Sequence, residues 1–427
     1  MKKKYINRLI EKEFNRKLKS SGCVLVTGPK FSGKTIMCEQ YANSTLALKT
    51  ANSIKLAKMD PRSTLIGEIP HLIDEWQKAP EIWNEIKDDL DKDYQFGKFI
   101  ITGSTTPVDS NKIQHSGAGR ISTLELKPFT LFESGESTGI VKISDLANGK
   151  TTPTISSSEN EVSLSDMAFL ICRGGWPIAT VVEKEYAIDV TKNYYDGLFR
   201  IEDESDDFAY FLRNKDINLL SIILKSYARN ISTQAKKTSM IKDIIKSGER
   251  ETLDENTFNA YVDVLKKLFI IYDMPAFNLN IRSSATVRVA PTHHFVDTSI
   301  ATAALDIRPA DLLNDLNSFG MFFEDLAVRD LSVYALANHA RLKHYRDSSG
   351  QEVDAVMEFD NGDFGIIEVK IASDENIKDG IKSIEKFESK LNEIQRKRLK
   401  FKMILTSHGG CYNIEGINVV PITMLKN

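Results

Sequence analysis

The stretch Gly28-Pro-Lys-Phe-Ser-Gly-Lys-Thr35 decides the fold of the first part of this chain. It fits the pattern G-x-x-x-x-G-K-[ST] at every fixed position. An apolar run, Cys23–Thr27, precedes it, and a run typical of a helix, Ile36–Ala42, follows it. In this context of strand, glycine loop and helix, backbone N–H groups and the helix N-terminus surround a phosphate. The stretch therefore predicts a phosphate-binding loop.

Different residues of the loop would bind the nucleotide and its metal ion. The Lys34 ammonium would reach the β- and γ-phosphates of ATP, and the Thr35 hydroxyl would bind Mg²⁺. A chance match in a glycine-rich turn is the alternative, which the flanking patterns disfavour. The residues predicted to bind the nucleotide are Gly28, Pro29, Lys30, Phe31, Ser32, Gly33, Lys34 and Thr35.

A partner motif follows in Pro70-His-Leu-Ile-Asp-Glu75, a short apolar run that ends in two acids. Ligands of parallel sheets bind at the carboxyl ends of the strands. Asp74 is placed to hold Mg²⁺ through water, and Glu75 to polarise the water that attacks the γ-phosphate. The alternative is a strand-to-helix turn with a solvated cap. We favour a Walker B motif because a phosphate-binding loop lies upstream.

Two further polar positions are candidates for catalysis. The predicted strand Lys98–Gly103 ends beside Ser104, and either Thr102 or Ser104 would sense the γ-phosphate; a polar strand end is the alternative. Arg120 follows a flexible Ser116–Gly119 stretch and would pair with phosphate charge in cis or reach a neighbouring chain's nucleotide in trans. A plain surface arginine is an equally good interpretation. The predicted catalytic set is Lys34, Glu75, Ser104 and Arg120.

The first domain, residues 1–135, alternates strands with helices. This alternation is typical of an α/β fold with a parallel sheet covered on both faces. A helix is predicted over Glu81–Asp91. The predicted strands are Cys23–Thr27, Thr45–Thr50, Pro70–Asp74, Lys98–Gly103 and Ser122–Leu126.

Composition limits the classes of protein to consider. The chain has 427 residues, enough for two to four domains, and 41% of them are hydrophobic. The net charge of −3 gives no overall attraction to nucleic acid or membranes, so such binding would need a local patch. Four scattered cysteines predict reduced thiols and a cytoplasmic protein. No stretch is apolar enough to predict a membrane span.

The middle of the chain is predicted to be a linker and a helical domain. Residues 136–164 are rich in Ser, Thr, Gly and Asn, which predicts a linker or insertion with short strands at most. Residues 165–305 contain an acidic cluster, Glu202–Asp207, and a winged-helix-like series of three helices and a strand. The third helix begins with acids that would repel phosphates, so a packing or lid role is favoured over DNA reading.

The last domain, residues 306–427, carries a second group of charged residues. Glu368 and Lys370 are two apart on a predicted strand and share a face. Asp354 on the neighbouring strand points to the same spot, and Glu324 lies on an upstream helix. Two carboxylates hold a divalent cation while a lysine stabilises developing charge, the logic of PD-(D/E)XK nucleases. A solvated face carrying three charges is the alternative.

One basic surface is predicted in the same domain. A helix over Ile377–Ile394 carries a lysine every four residues from Lys378 to Lys390, and the positive residues Arg396–Lys402 extend it. This surface would guide a nucleic-acid backbone toward Asp354. A solvated helix face is an equally good interpretation.

Taken together, the chain resembles the bacterial and archaeal ATPases of the AAA+ superfamily that carry a C-terminal domain of unknown function with a PD-(D/E)XK nuclease-like fold. No Gln-x-x-x-Tyr follows Lys370, as it does in some active nucleases. The resemblance covers nearly the whole chain and rests on Gly28–Thr35, Asp74-Glu75, Thr102-Gly-Ser104, Gly119-Arg120, Leu126-Lys-Pro-Phe-Thr-Leu-Phe-Glu133, Arg173-Gly-Gly-Trp-Pro177, Tyr345-Arg-Asp347, Glu352-Val-Asp354 and Ile367-Glu-Val-Lys370.

The sequence therefore predicts three parts: a P-loop NTPase domain with a parallel sheet, a helical winged-helix-like middle domain, and a restriction-endonuclease-like α/β domain. We expect a Mg²⁺-dependent ATPase whose nucleotide state switches the C-terminal domain, which would bind a second divalent metal and act on DNA or a protein partner. The alternative is a nucleotide-switched scaffold whose nuclease-like fold does not cleave. A homo-oligomer is possible, and no membrane partner is expected.

Overall fold

A computed structural model describes residues 5–104, 117–156, 162–199, 212, 215–279 and 289–427. The predicted acidic cluster Glu202–Asp207 lies outside these ranges, as does Ser116. The chain divides into two compact units. One comprises Met1–Pro128, Asp196–Leu220 and Tyr261–Ile270, and the other comprises Phe129–Tyr195, Ser221–Ala260 and Ile271–Asn427.

Helices occur along the whole described chain. None in the described ranges combines the length and the apolar character required to cross a bilayer. Their bounds are Glu11–Leu18, Lys34–Glu39, Ala51–Met59, Ile82–Lys92, Ile143–Ala147, Leu164–Arg173, Lys184–Gly197, Ile217–Arg229, Lys237–Lys246, Glu255–Lys267, Thr298–Ala304, Pro309–Asn314, Leu316–Ala337, Asp374–Ser389 and Glu393–Arg398.

The first unit contains a parallel five-stranded sheet in the order β2-β3-β4-β1-β5. Strands β1, β3 and β4 are buried at every residue, as expected for central strands with both faces covered. The parallel α/β prediction is confirmed. The strands are β1 Cys23–Thr27, β2 Ser44–Ala47, β3 His71–Asp74, β4 Phe99–Thr102 and β5 Ile121–Glu125.

The second strand is shorter than the predicted Thr45–Thr50 because a helix begins after it. The Thr50 side chain accepts a hydrogen bond from the Ser53 backbone N–H at 3.1 Å, which caps the helix Ala51–Met59. This cap leaves Lys49 outside the strand, at the carboxyl edge of the sheet.

In the middle region, the helices Ile217–Arg229, Lys237–Lys246 and Glu255–Lys267 are followed by an antiparallel pair, β7 (Ile271–Met274) and β8 (Thr292–Phe295). These three helices match the predicted series of three helices. The apolar positions of the third helix, from Phe258 to Leu268, are buried as its periodicity predicts. The winged-helix interpretation of these elements stays a prediction.

Residues 136–164 contain more structure than a linker with short strands. The short strand β6, Val141–Lys142, pairs in parallel with β15, Leu425–Lys426. A helix follows over Ile143–Ala147 and buries Ile143 and Leu146. The expectation of short strands at most is therefore wrong, because two apolar residues three apart can bury one face of a single helical turn.

The second unit contains a six-stranded sheet in the order β13-β14-β12-β11-β10-β9. Strands β9, β10 and β11 are antiparallel neighbours, whereas β11, β12 and β14 run parallel. Their bounds are β9 Ala340–Arg346, β10 Glu352–Phe359, β11 Phe364–Lys370, β12 Leu399–Thr406, β13 Tyr412–Ile414 and β14 Ile417–Pro421.

The predicted single helix Ile377–Ile394 is wrong, since the structure has two helices there. The first ends at Ser389, and the second begins at Glu393. The Asn392 side chain accepts a hydrogen bond from the Gln395 backbone N–H at 2.9 Å and forms a capping box. Asparagine competes with helix continuation at this position because its side chain satisfies the N–H groups of a new helix start.

A buried ionic network holds the long helix Leu316–Ala337 in the second unit. The Arg329 guanidinium is 1% exposed and donates to Asp330 at 2.9 Å and to Asp297 at 2.8 Å. Asp330 also accepts from the Leu131 N–H, and Asp297 from the Gly175 N–H, each at 2.8 Å. Burial raises the pKa of Asp330 to about 6, although the Arg329 charge opposes this. Two sequence motifs of the resemblance, around Leu131 and Gly175, are thus linked to Arg329 through its two aspartate partners.

Replacing Arg329 should strongly destabilise the chain. Arg329→Met would leave Asp297 and Asp330 buried without their counter-charge, and we expect a loss of about 3–5 kcal/mol. Denaturant unfolding of the full chain measures this. Lys382→Met is the matched control, since the Lys382–Asp379 pair is exposed and should contribute less than about 1 kcal/mol. Equal effects of the two variants would contradict this account of the network.

Candidate functional site

The phosphate-binding loop adopts a conformation that only glycine tolerates at two positions. Gly28 has φ 139° and Gly33 has φ 94°. A Cβ atom at Gly28 would lie 2.2 Å from the Leu126 carbonyl oxygen. Arg8 supports the loop, because its guanidinium donates to the carbonyls of Ser32 at 2.9 Å and Lys127 at 2.7 Å. The loop shape is thus set by glycine and by one buried arginine.

Lys34 lies inside this loop. Its ammonium donates to the carbonyl oxygens of Gly28 at 2.9 Å and Pro29 at 2.7 Å. Burial lowers the pKa of Lys34 to about 8, although the negative charges of Glu75 and Asp74 oppose this shift. The ammonium is therefore poorly solvated, and a further negative charge in the loop would stabilise it.

Asp74 is the centre of the polar contacts beside the loop. It is 1% exposed, and its Oδ1 accepts from the hydroxyls of Thr35 at 2.7 Å and Thr102 at 2.5 Å. The ammonium of Lys49 lies 3.2 Å from Oδ2. The structure thus brings together the residues predicted to bind Mg²⁺, Thr35 and Asp74.

Glu75 lies next to Asp74 in a left-handed backbone conformation, with φ 62°. Its carboxylate accepts a hydrogen bond from the Gln77 side-chain amide at 2.8 Å. Its backbone N–H points to the Thr102 hydroxyl at 3.4 Å. The short 3₁₀ turn Trp76–Lys78 follows, so Glu75 starts a tight turn at the carboxyl end of β3.

Two buried hydroxyls fit an anionic ligand at this edge of the sheet. In the described part of the chain, Ser32 Oγ and Ser104 Oγ have no hydrogen-bond partner, and an unpaired buried polar group is costly. Phosphate oxygens would satisfy such donors. Thr35 and Asp74 offer the hard oxygen ligands that Mg²⁺ prefers. Of the other loop residues, Lys30 is half-buried and Phe31 is 71% exposed.

Arg120 lies at the other edge of this sheet. It precedes β5, which runs parallel to β1, and its backbone carbonyl accepts from the Cys23 N–H at the start of β1. The phosphate-binding loop follows the end of β1, roughly 15 Å along a five-residue strand. The Arg120 guanidinium instead pairs with Asp91 on the helix Ile82–Lys92. The structure does not bring Arg120 to the phosphate-binding loop of the same chain.

The second predicted group does come together in the second unit. The Lys370 ammonium lies 3.2 Å from Asp354 Oδ2 and 2.8 Å from Glu368 Oε2. Asp354 also accepts from the Val369 N–H at 2.8 Å, and the Ser383 hydroxyl donates to Glu368 at 2.8 Å. A register irregularity in β10 between Val353 and Val356 includes Asp354, and such bulges redirect side chains.

The carboxylates of this group repel one another. Burial and the charge of Asp354 raise the pKa of Glu368 to about 8. The same two causes raise the pKa of Glu324, which shows that Glu324 lies within electrostatic reach of the group. Burial lowers the pKa of Lys370, but attraction to Asp354 and Glu368 outweighs it and raises that pKa overall. Among the described residues, no three metal-ligating side chains form a ready cation site.

Five of the nine positive residues of the predicted basic surface pair with carboxylates. Such pairing weakens the attraction for a phosphate backbone. Arg398 donates to the Gly362 carbonyl. The ion pairs are Lys382–Asp379, Lys390–Asp347, Lys397–Glu393, Lys400–Asp363 and Lys402–Glu388.

Four residues at these sites were missed from the sequence: Arg8, Lys49, Gln77 and Ser383. Gln77 is two residues from Glu75, so a search of the turn after the Walker B acids would have found it. Lys49 lies two residues beyond β2. It was missed because the predicted second strand extended to Thr50 and included it. Arg8 and Ser383 have no local signal, since their partners lie far along the chain.

Three families match parts of the chain. Residues 20–134 match the family described as "AAA domain". Residues 164–311 match "Domain of unknown function (DUF8612)", and residues 319–425 match "Domain of unknown function (DUF4143)". The first match, with the loop geometry, confirms the prediction of an AAA-type P-loop ATPase domain. The other two leave the winged-helix and nuclease-like predictions untested.

Individual relatives are distant. Uncharacterized proteins of Mycobacterium bovis and Mycobacterium tuberculosis are each 29% identical over 126 residues, which is 29% of this chain and 29% of each relative's length. A Walker-type ATPase of Pyrococcus abyssi is similar in structure, with a TM-score of 0.44 and 16% identity, over 71% of this chain and 97% of that one. The ATPase assignment therefore rests on the domain match and the site geometry.

A divalent cation should stabilise the chain through Asp354 and Glu368, and more strongly at higher pH. Folding raises the pKa of Glu368 from 4.5 to about 8, so the folded state favours the protonated carboxyl. The stability associated with this group is therefore fully present below pH 4.5 and is lost as the pH rises through 8. A cation between the ionised carboxylates would offset that loss. We expect millimolar Mg²⁺ to raise the Tm of the full chain more at pH 8.5 than at pH 6.

Asp354→Ala should remove this Mg²⁺ effect and leave the fold intact. The measurement is made in the Lys34→Ala background, so that Mg²⁺ acting through a nucleotide does not contribute. Glu358→Ala on the same strand, whose carboxylate pairs with Lys343, is the matched control and should keep the effect. A Tm that does not respond to Mg²⁺ at either pH would rule out a shared cation site.

Proposed function

We propose that this chain is a Mg²⁺-dependent ATPase whose nucleotide state switches its C-terminal domain. The observation that carries the proposal is the meeting of Lys34, Thr35–Asp74 and Glu75 at the carboxyl edge of one parallel sheet. Phosphoryl transfer needs little beyond such positioning and neutralisation of charge. The AAA domain match at residues 20–134 supports the same reaction.

Each residue has one task in this proposal. The loop N–H groups and the Lys34 ammonium bind the phosphates, and the Ser104 hydroxyl donates a hydrogen bond to the γ-phosphate. Thr35 and Asp74 would hold Mg²⁺, which would neutralise phosphate charge during transfer. The Glu75 carboxylate accepts a hydrogen bond from the attacking water and orients it in line with the leaving group.

The C-terminal group supports two candidate activities. Asp354, Glu368 and Lys370 on adjacent strands, with Glu324 nearby, have the chemistry of a metal-dependent nuclease acting on DNA. The alternative is a binding or scaffold role. The pairing of Lys370 with both carboxylates and the pairing of Lys382 and Lys390 on the basic helix with carboxylates favour the scaffold. Cleavage of labelled DNA only with Mn²⁺, and its loss in Lys370→Ala, would favour the nuclease.

The protein's surroundings are also part of the proposal. The cysteines Cys23, Cys38, Cys172 and Cys411 are all buried and free, which supports a reducing, cytoplasmic compartment. Arg120 at the sheet edge opposite the loop supports a homo-oligomer in which it reaches a neighbouring chain's nucleotide, since the cis role would require a large displacement.

Replacing Lys34 and replacing Glu75 should affect nucleotide binding and ATP turnover differently. Lys34→Ala should weaken nucleotide binding and abolish turnover, because the charge that binds the phosphates is lost. Glu75→Gln should keep binding and lose turnover by orders of magnitude, as expected for a group that acts mainly in the transition state. Phosphate release and binding of a fluorescent ATP analogue separate these effects. Wild-type turnover in Glu75→Gln would refute the Walker B assignment.

Arg120 should make turnover depend on protein concentration. If it completes a neighbour's site, the ATPase rate per chain should rise as chains associate, and Arg120→Ala should remove that rise. A dilution series of steady-state rates tests this. Asp91→Ala, which removes the partner of Arg120 in this structure, is the control and should keep the rise. A rate per chain that stays flat would argue against a trans role.

A further inference from the structure

The side chain of Gln77 is a buried polar group that the proposed reaction has not used. It is 2% exposed, and its amide nitrogen donates to Glu75 Oε2 at 2.8 Å. A buried amide N–H is costly unless it is hydrogen-bonded. Here the acceptor is the carboxylate that we assign to the attacking water.

The turn that carries Gln77 is firmly anchored. Trp76 is 1% exposed, and its ring lies 5.1 Å from that of Trp83 within the apolar core of the first unit. The left-handed conformation of Glu75 turns the chain sharply, which lets the side chains of residues 75 and 77 meet. Gln77 thus approaches Glu75 from a rigid element, as positioning requires.

The end of β4 is shaped to admit this side chain. A Cβ atom at Gly103 would lie 2.9 Å from Gln77 Oε1 and 3.2 Å from Trp76 Nε1. A side chain at residue 103 would therefore displace the Gln77 amide. Gly103 precedes Ser104, which is predicted to sense the γ-phosphate. Gln77 therefore lies between the end of β4 and the Glu75 carboxylate.

We propose that Gln77 is a positioning residue that holds the Glu75 carboxylate in the orientation needed to align the attacking water. The inference rests on the proposed ATPase function and adds a residue to that site. A displacement of about 1 Å in a reacting group can cost on the order of 100-fold in rate. Loss of the Gln77 amide should therefore lower kcat and leave nucleotide binding intact.

Three variants of the full chain test the role. Gln77→Leu removes the donor, Gln77→Glu keeps the shape and places a like charge beside Glu75, and Gly103→Ala pushes the amide aside. We expect kcat to fall about 10- to 100-fold in each, with the Kd for a fluorescent ATP analogue and KM within about twofold of wild type. If Gln77→Leu does not fold, Gln77→Glu still tests the positioning role.

A double-variant cycle separates positioning from general destabilisation. If Gln77 acts only through Glu75, adding Gln77→Leu to Glu75→Gln should not lower the single-turnover rate further. Gln395→Leu is the matched control: Gln395 is also buried and hydrogen-bonded, to the Asn392 N–H and the Leu279 carbonyl. Its loss should lower the Tm and leave kcat unchanged.

The outcomes distinguish the inference from the function on which it rests. A wild-type chain that binds but does not hydrolyse ATP would refute the proposed function. A wild-type ATPase whose folded Gln77 variants turn over normally, or whose double variant shows a further independent loss, would refute the positioning role alone. A reduced kcat in Gln395→Leu would show that the rate reports stability and would also overturn the inference.

Discussion

The parallel alignment of β1, β3 and β4 is the constraint on which the candidate ATPase site depends. In a parallel sheet every strand ends at the same edge, so residues distant in the chain meet there. The Thr35 hydroxyl at the end of the loop after β1 and the Thr102 hydroxyl at the end of β4 both donate to Asp74 at the end of β3. The same rule brings Lys49 to that edge from the end of β2, and it sends Arg120, which precedes β5, to the other edge.

Burial of charge is the second feature that the two units share. Lys34 loses hydration inside the loop, and its pKa falls to about 8. Glu368 loses hydration beside Asp354, and its pKa rises to about 8. Each of these groups would be stabilised by an opposite charge, phosphate in the first case and a cation in the second. Arg329 differs from Lys34 and Glu368, because two aspartates within the protein already neutralise its charge and no ligand is needed.

The long helix Leu316–Ala337 carries residues of two buried polar groups of the second unit. It carries Glu324 near Asp354 and Glu368, and Arg329 and Asp330 little more than one turn later. Asp330 accepts the Leu131 N–H at 2.8 Å, and Leu131 lies at the end of the region that matches the AAA domain. Within the second unit, one helix therefore carries both Glu324 and the residue that accepts the Leu131 N–H.

The sequence alone determined the phosphate-binding loop, the Walker B acids, the parallel sheet and the strands that carry Asp354, Glu368 and Lys370. These features depend on local patterns: glycine spacing, apolar runs that end in acids, and alternation along a strand. The sequence-based bounds were wrong where a capping side chain sets the start of a helix, as at Thr50 and Asn392. At such positions the hydrogen bond of a single capping residue outweighs the strand or helix propensity of its neighbours. Only the tertiary structure placed Arg8 on the loop and Arg120 away from the phosphates. Those contacts depend on the direction of side chains and on the edge of the sheet at which each segment emerges, and neither is written in local sequence.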